Sequence, residues 1–279
     1  MSPIIDPHDL AAMLGAPSLV VIDASVTLEA PRFDGDYQVA SGRGGWEHSH
    51  IPGSIHVDLL NSFSDTSARL HHTHPSPQVL AADLARFGIS ADATIVLYDA
   101  GSTMWAARLW WVLRNAGITA RVLDGGLARW TSLNLPVESG PTGQRAPVTT
   151  EALPDLDLWA DKHDVDAISR GEAPGTLVCA LSAEHFAGTI PTRYTRRGHI
   201  PRSINLSARS FLDGDGLLVP ATTEVETPTV IYCGGGISAC LTALALTVAG
   251  HTGIQIYDGS LEEWSADPSL PLLTQKDTP

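Results

Sequence analysis

"VLDGGLARW", Val122 to Trp130, returns later in the chain as "IYDGSLEEW", Ile256 to Trp264, with aspartate, glycine, leucine and the closing tryptophan in register. Upstream of the first copy, "TIVLYD" ends at Asp99, 25 residues before Asp124; upstream of the second, "TVIYC" ends at Cys233, 25 residues before Asp258. Two further pairs keep the same order: "LVVIDAS" (Leu19 to Ser25) with "TLVCALS" (Thr176 to Ser182), and "HIPGSIHVDLL" (His50 to Leu60) with "HIPRSINLSARSF" (His199 to Phe211). Four ordered matches describe a duplicated domain.

Within each copy, short runs rich in β-branched and aromatic residues alternate with helical patterns, which predicts an α/β fold with a mainly parallel sheet and crossover helices. Ser76 before Pro77 reads as an N-cap followed by a first-turn proline, opening a helix with Val79, Leu80, Leu84 and Phe87 on its apolar side. Helices from about Trp105 to Ala116 and from about Ile237 to Ala249 stop at Gly117 and Gly250. "ESGPTGQRAPVTTEALPD", Glu138 to Asp155, lacks an apolar period and reads as a connection. The expected organisation is a first domain over residues 1–140, a linker over 141–155 and a second domain over 156–279.

The chain of 279 residues is 43% hydrophobic and 17% charged, the balance of a packed soluble protein. Its formal charge of -14 opposes binding to nucleic acid or to an anionic membrane. The opening residues show no basic start followed by an apolar run, and the longest near-apolar stretch, Ala239 to Ala249, is short of a membrane span. Cys179, Cys233 and Cys240 form neither an even disulfide framework nor a paired metal spacing. A reduced, cytoplasmic setting is expected.

Chemistry concentrates in "IYCGGGISACL", Ile231 to Leu241. A strand ending at Tyr232 puts Cys233 at its carboxyl end, with a helix opening about four residues later, where α/β proteins hold their ligands. Gly234, Gly235 and Gly236 permit positive φ values and an inward-facing nest of N–H groups at a helix N-terminus. Such surroundings lower a cysteine's pKa from about 8.5 into a range of about 3.5 to 7.5. Phosphate-ester hydrolysis by a cysteine loop requires an arginine six positions on, where this chain has Ala239. A dithiol exchange motif requires cysteine at 236. Cys240, about 10 Å farther along the helix, is expected in the core.

Taken together, these segments resemble the tandem rhodanese-fold sulfurtransferases, and more closely their 3-mercaptopyruvate sulfurtransferase branch, over nearly the whole chain. The resemblance implies two rhodanese-like domains of which only the second is catalytic, since Asp99 stands at the cysteine position of the first. It further implies that Cys233 takes sulfur from a small donor, 3-mercaptopyruvate in preference to thiosulfate, holds it as a persulfide and passes it to a thiol or cyanide. A thioredoxin-like protein is among the thiol acceptors so implied, and no metal or organic cofactor is required. The N–H groups of Gly234, Gly235, Gly236, Ile237 and Ser238 are then expected to stabilise the thiolate and the persulfide.

"CGGGIS" is neutral like the mercaptopyruvate-type loop, with Gly235 where that loop has serine. Of the two arginines that bind the donor's carboxylate in that branch, His185 occupies the first position and Arg193 matches the second, with Arg196 and then Arg197 as nearby candidates to add charge. His72 matches a first-domain histidine of the branch; the acid that accompanies it falls at Leu60, with Asp58 nearby. Cys179 and Leu181 stand where the family has aspartate and arginine. These departures keep two other readings in play, a low-turnover sulfur carrier or protein-binding module and a thiol redox sensor.

Other conspicuous residues read as structural. His71, His72 and His74 lack the companions of a metal site and are expected in a polar loop near the domain interface. Trp46, Trp105, Trp110, Trp111, Trp130, Trp159 and Trp264 are expected to pack the core, and Asp124 and Asp258 to make turns before glycine.

Overall fold

The structure is a computed structural model that describes residues 2–90, 92–143 and 145–275. In the first half, strands β1 (Ile4–Ile5), β2 (Leu19–Asp23), β3 (Val26–Leu28), β4 (Val39–Ser41), β5 (Ile55–His56), β6 (Thr94–Tyr98) and β7 (Ala120–Leu123) alternate with helices α1 (Pro7–Met13), α2 (Arg43–His48), α3 (Pro77–Arg86), α4 (Met104–Asn115) and α5 (Gly126–Ser132). The second half contains β8 (Trp159–Ala160), β9 (Thr176–Cys179), β10 (Ser203–Asn205), β11 (Thr229–Tyr232) and β12 (Ile254–Tyr257), with α6 (Lys162–Arg170), α7 (Ala183–Phe186), α8 (Ile237–Val248) and α9 (Ser260–Ala266). A 3-10 turn covers Ala208–Phe211.

The first sheet runs β1-β7-β6-β2-β5 and the second, read from its opposite edge, β8-β12-β11-β9-β10, with every pair parallel. Strand for strand this is one order used twice, so the repeat in the sequence is a repeat of topology. Both central strands, β6 and β11, are buried along nearly their whole length, as β-branched runs in a parallel sheet covered on both faces must be. The first half adds the antiparallel pair β3–β4, which the repeat did not announce.

Local signals act as the sequence implies. Ser76 accepts the Val79 N–H at the start of α3 and Pro77 takes the first helical position, although Val79 faces solvent. Helices α4 and α8 are apolar around nearly their whole circumference, and a helix of that kind has to be buried on all sides. They achieve this by packing on each other, which joins the two halves through one continuous apolar core that holds Trp110, Trp111, Leu241 and Leu244. The N-terminus of each of these helices follows the loop that leaves a central strand.

Residues 141–158 contain no helix or strand among the described residues. They run along the first half, with Val148 N–H donating to Ala85 O and Thr150 Oγ1 to Ala81 O. No helix among the described residues is long and apolar enough to cross a membrane.

Candidate active site

A cavity of about 480 Å³ opens between the two halves. Its second-half wall includes Cys233, Gly234, Gly235, Ile237 and Ser238, and its first-half wall includes Val26, Leu28, Tyr37, His72, Met104 and Trp105. The β3–β4 pair therefore supplies part of the apolar wall. Cys233 follows β11, is 2% exposed and lines this cavity.

The loop after Cys233 is set from outside. Ser260 Oγ, at the start of α9, accepts the N–H groups of Cys233 and Gly236, each at 3.1 Å, and donates to Tyr257 O at 2.8 Å. Leu261 N–H and Glu262 N–H hold the carbonyls of Cys233 and Gly234 at 3.1 and 2.8 Å. Of the three glycines, only Gly236 takes a positive φ, +76°, where it caps α8. Its N–H faces Ser260, so the expected nest of five N–H groups loses that member.

Arg108 braces the same loop from the other half. Its guanidinium lies 3% exposed in the middle of the largely apolar α4 and donates to Gly236 O at 3.4 Å, to Asp258 Oδ1 at 2.7 Å and to His72 O at 2.5 Å. Asp258 also accepts from His74, by ring Nδ1 at 2.7 Å and by backbone N–H at 2.8 Å. The His74 ring stacks on Trp159, and Arg108 lies over the other partner of that stack, 4.8 Å from the ring centre. Burial opposes charge on Asp258, but Arg108 and His74 outweigh it and hold the carboxyl well below the usual range. Asp258 is thus the anion of a buried interdomain cluster, more than the turn residue expected of it. Asp124 likewise reaches across the interface, accepting Leu218 N–H at 2.7 Å.

The three histidines of "HHTHP" part company. His71 pairs with Glu262 at 2.6 Å and stacks on Tyr37, while His74 serves Asp258. His72 turns toward the cavity with a left-handed backbone, φ +57°, and its Nε2 is buried without a partner among the described residues. Burial, then the charge of Arg108, push its pKa down to about 4, so the ring is neutral near pH 7. Asp58 is absent from the cavity and caps its own turn at Leu60 N–H and Asn61.

His185 lines the cavity, its Nδ1 3.0 Å from Ser182 Oγ, and burial lowers its pKa. Arg193 also lines it, with two guanidinium nitrogens donating to Glu29 O beyond β3. Arg196 does not reach the cavity. Its guanidinium is consumed by the carbonyls of Trp264, Ser265, Asp267 and Leu270, which finishes α9, so the expected donor contact there is a structural cap. Arg197 pairs with Asp34 on the surface.

Cys179 and Cys240 are fully buried, and burial pushes both thiols up to about 12. Cys240 Sγ donates to Gly236 O at 3.1 Å, packing under the loop as a core residue. Sequence reasoning missed Arg108, Ser260, Tyr194 and Arg209. Only Arg108 carried a signal, as a charge in the middle of a largely apolar helix. Tyr194 lies against Gly234, where an added Cβ would stand 3.4 Å from its ring, and its hydroxyl is buried without a partner among the described residues.

Comparisons with known proteins point to one family. The family model described as Rhodanese-like domain matches residues 6–133 and 188–267. The probable 3-mercaptopyruvate sulfurtransferase of Pseudomonas aeruginosa is 31% identical, over 97% of this chain and 98% of its own. A putative thiosulfate sulfurtransferase of Mycobacterium tuberculosis, SseB, is 33% identical over 96% of both chains. Among solved structures, the 3-mercaptopyruvate sulfotransferase SseA from Escherichia coli superposes with a TM-score of 0.78 at 26% identity, over 93% of this chain and 99% of its own. Tum1 from Saccharomyces cerevisiae superposes with 0.82 at 21% identity over 99% of both, a likeness of fold.

Proposed function

This chain belongs to the rhodanese-like domain family as a tandem-domain sulfurtransferase, and from that premise we propose that Cys233 carries the sulfur, with 3-mercaptopyruvate or a similar thiol acid as donor. The observation that carries the reading is the position of Cys233: a thiol at the end of the central strand and the mouth of α8, facing a cavity from which Cys179 and Cys240 are absent. In the first step the Cys233 thiolate attacks the donor's sulfur. The carbon–sulfur bond breaks, its electron pair passes to the enolate of pyruvate, and a proton from solvent or a cavity group completes pyruvate. Cys233 is left as a persulfide. In the second step a thiolate or cyanide attacks the outer sulfur, and the sulfur–sulfur electron pair returns to Cys233 as thiolate.

The free N–H groups at the start of α8 support the negative charge that Cys233 bears at both ends of this cycle. His72, neutral and with Nε2 unpartnered at the cavity wall, is suited to accept a hydrogen bond from an incoming thiol. Glu262 favours a donor with one negative charge over a dianion such as thiosulfate, because its Oε2 stands 3.4 Å from where a Cβ on Gly235 would be. Three unpaired cysteines suit a reduced, cytoplasmic setting.

Incubation with 3-mercaptopyruvate and, separately, with thiosulfate tests this directly. Intact-mass measurement should show one added sulfur, mapped to the Cys233 peptide, most completely with the thiol acid. A protein that takes no sulfur from either donor would overturn the assignment.

A further inference from the structure

An anionic donor needs a cation at the cavity, in a chain whose net charge is -14. Two arginines line the cavity, Arg193 and Arg209. Arg193 already spends Nε and one terminal nitrogen on Glu29 O. Arg196 and Arg197 are committed elsewhere, to carbonyls and to Asp34. Alone of these, the Arg209 side chain makes no hydrogen bond and no ion pair with any described residue, while its backbone carbonyl accepts the Leu212 N–H.

Its base is nevertheless fixed. Arg209 sits in the 3-10 turn Ala208–Phe211, where Ala208 N–H donates to Ala180 O at 2.9 Å, just past the end of β9, and the turn packs on α8. A guanidinium held at its root and unspent at its tip can meet a carboxylate with two parallel bonds. The local charge pattern suits this, since Glu262 places an anion beside Gly235 while Arg209 adds to the cavity wall a cation whose side chain has no partner among the described residues.

Resting on the sulfurtransferase reading above, we propose that Arg209 is the specificity-determining contact for the donor's carboxylate, in the place that the sequence pattern offered to Arg196. Donors are then selected as thiol acids carrying one carboxylate, and uncharged sulfur compounds gain nothing from this contact.

Two alkylating reagents that differ chiefly in charge, iodoacetate and iodoacetamide, read the contact without a sulfur donor. Rates of Cys233 modification, mapped by peptide mass, are compared in the full-length protein, in Arg209→Gln, in Arg209→Lys and in Arg197→Gln. We expect the iodoacetate to iodoacetamide rate ratio to fall by about 5-fold or more in Arg209→Gln, to fall less in Arg209→Lys and to stay unchanged in Arg197→Gln. With 3-mercaptopyruvate, Arg209→Gln should raise KM by about 10-fold while kcat stays within about 2-fold. An unchanged ratio in Arg209→Gln would overturn the proposal. Failure of every donor to load Cys233 would instead overturn the sulfurtransferase reading, and the alkylation ratio would still decide whether Arg209 recognises anions.

Discussion

At the end of β6, Asp99 folds its carboxylate back into its own loop. It accepts the N–H groups of Gly101 and Thr103 at 2.9 Å, of Trp105 at 3.0 Å and of Ala106 at 3.3 Å, and is 1% exposed. At the end of β11, Cys233 makes no such closure. There the bracing comes from Ser260 Oγ, at the position where the first half has Gly126. Both residues keep a left-handed backbone, Gly126 at φ +56° and Ser260 at +49°, so the serine tolerates a conformation that glycine adopts freely. An anion nest filled by its own protein is a structural knot; the same nest braced from behind is left open to a ligand. On the proposal that Cys233 carries the sulfur, the two copies differ in where the loop's N–H groups find their acceptor, as well as in which residue ends the strand.

The largest effect that bears on this contrast is loss of the thiol. Cys233→Ser should lower sulfur transfer by at least about 1,000-fold in a cyanide-acceptor assay. Adding Asp99→Cys to that variant should restore nothing, because a cysteine there enters a loop without the serine brace; recovered transfer would break the comparison. Asp99→Ala in the native background should leave transfer within a few-fold. It strands several buried N–H groups, however, and should cost about 2–4 kcal/mol in urea unfolding.

A smaller change exchanges the braces. Ser260→Gly gives the second loop the first loop's residue, relieves the left-handed serine and removes an acceptor from two N–H groups. Stability should move by less than about 1 kcal/mol, as the two effects offset. Transfer should fall by about 10-fold, and turnover equal to that of the unaltered protein would show that the brace is dispensable. The smallest effect is acid sensitivity at the seam. Asp258 titrates below its unfolded value, so its contribution is complete above about pH 4 and is lost as pH falls from there toward the folded pKa. Fluorescence of Trp159, stacked against His74, should report opening of the cluster in that acid range, and no spectral change before global unfolding would count against it.

The repeat made the topology legible, since strand order follows from the fact that each half must bury the same alternating pattern. Cys233 was legible for a related reason: a thiol next to three glycines at a strand-to-helix junction is a local feature. The bracing residues were not, because Ser260 and Arg108 act on a loop far away in sequence, and Arg108 acts from the other half. Arg196 looked competent as a cation near the site, but whether a guanidinium is free depends on which carbonyls surround it, and these come from Trp264 to Leu270. Asp258 was read as a turn because its partners, His74 and Arg108, lie in the opposite copy.

The buried Arg108 bond to Gly236 O also bears on how such a protein can change over generations. Once a duplicated module sends a charge into its neighbour's loop, the two modules can no longer be deleted or exchanged freely. Grafting a first half from another tandem relative onto this second half should succeed when the graft supplies the Arg108 and His74 contacts to Asp258, and should strand a buried carboxylate when it does not.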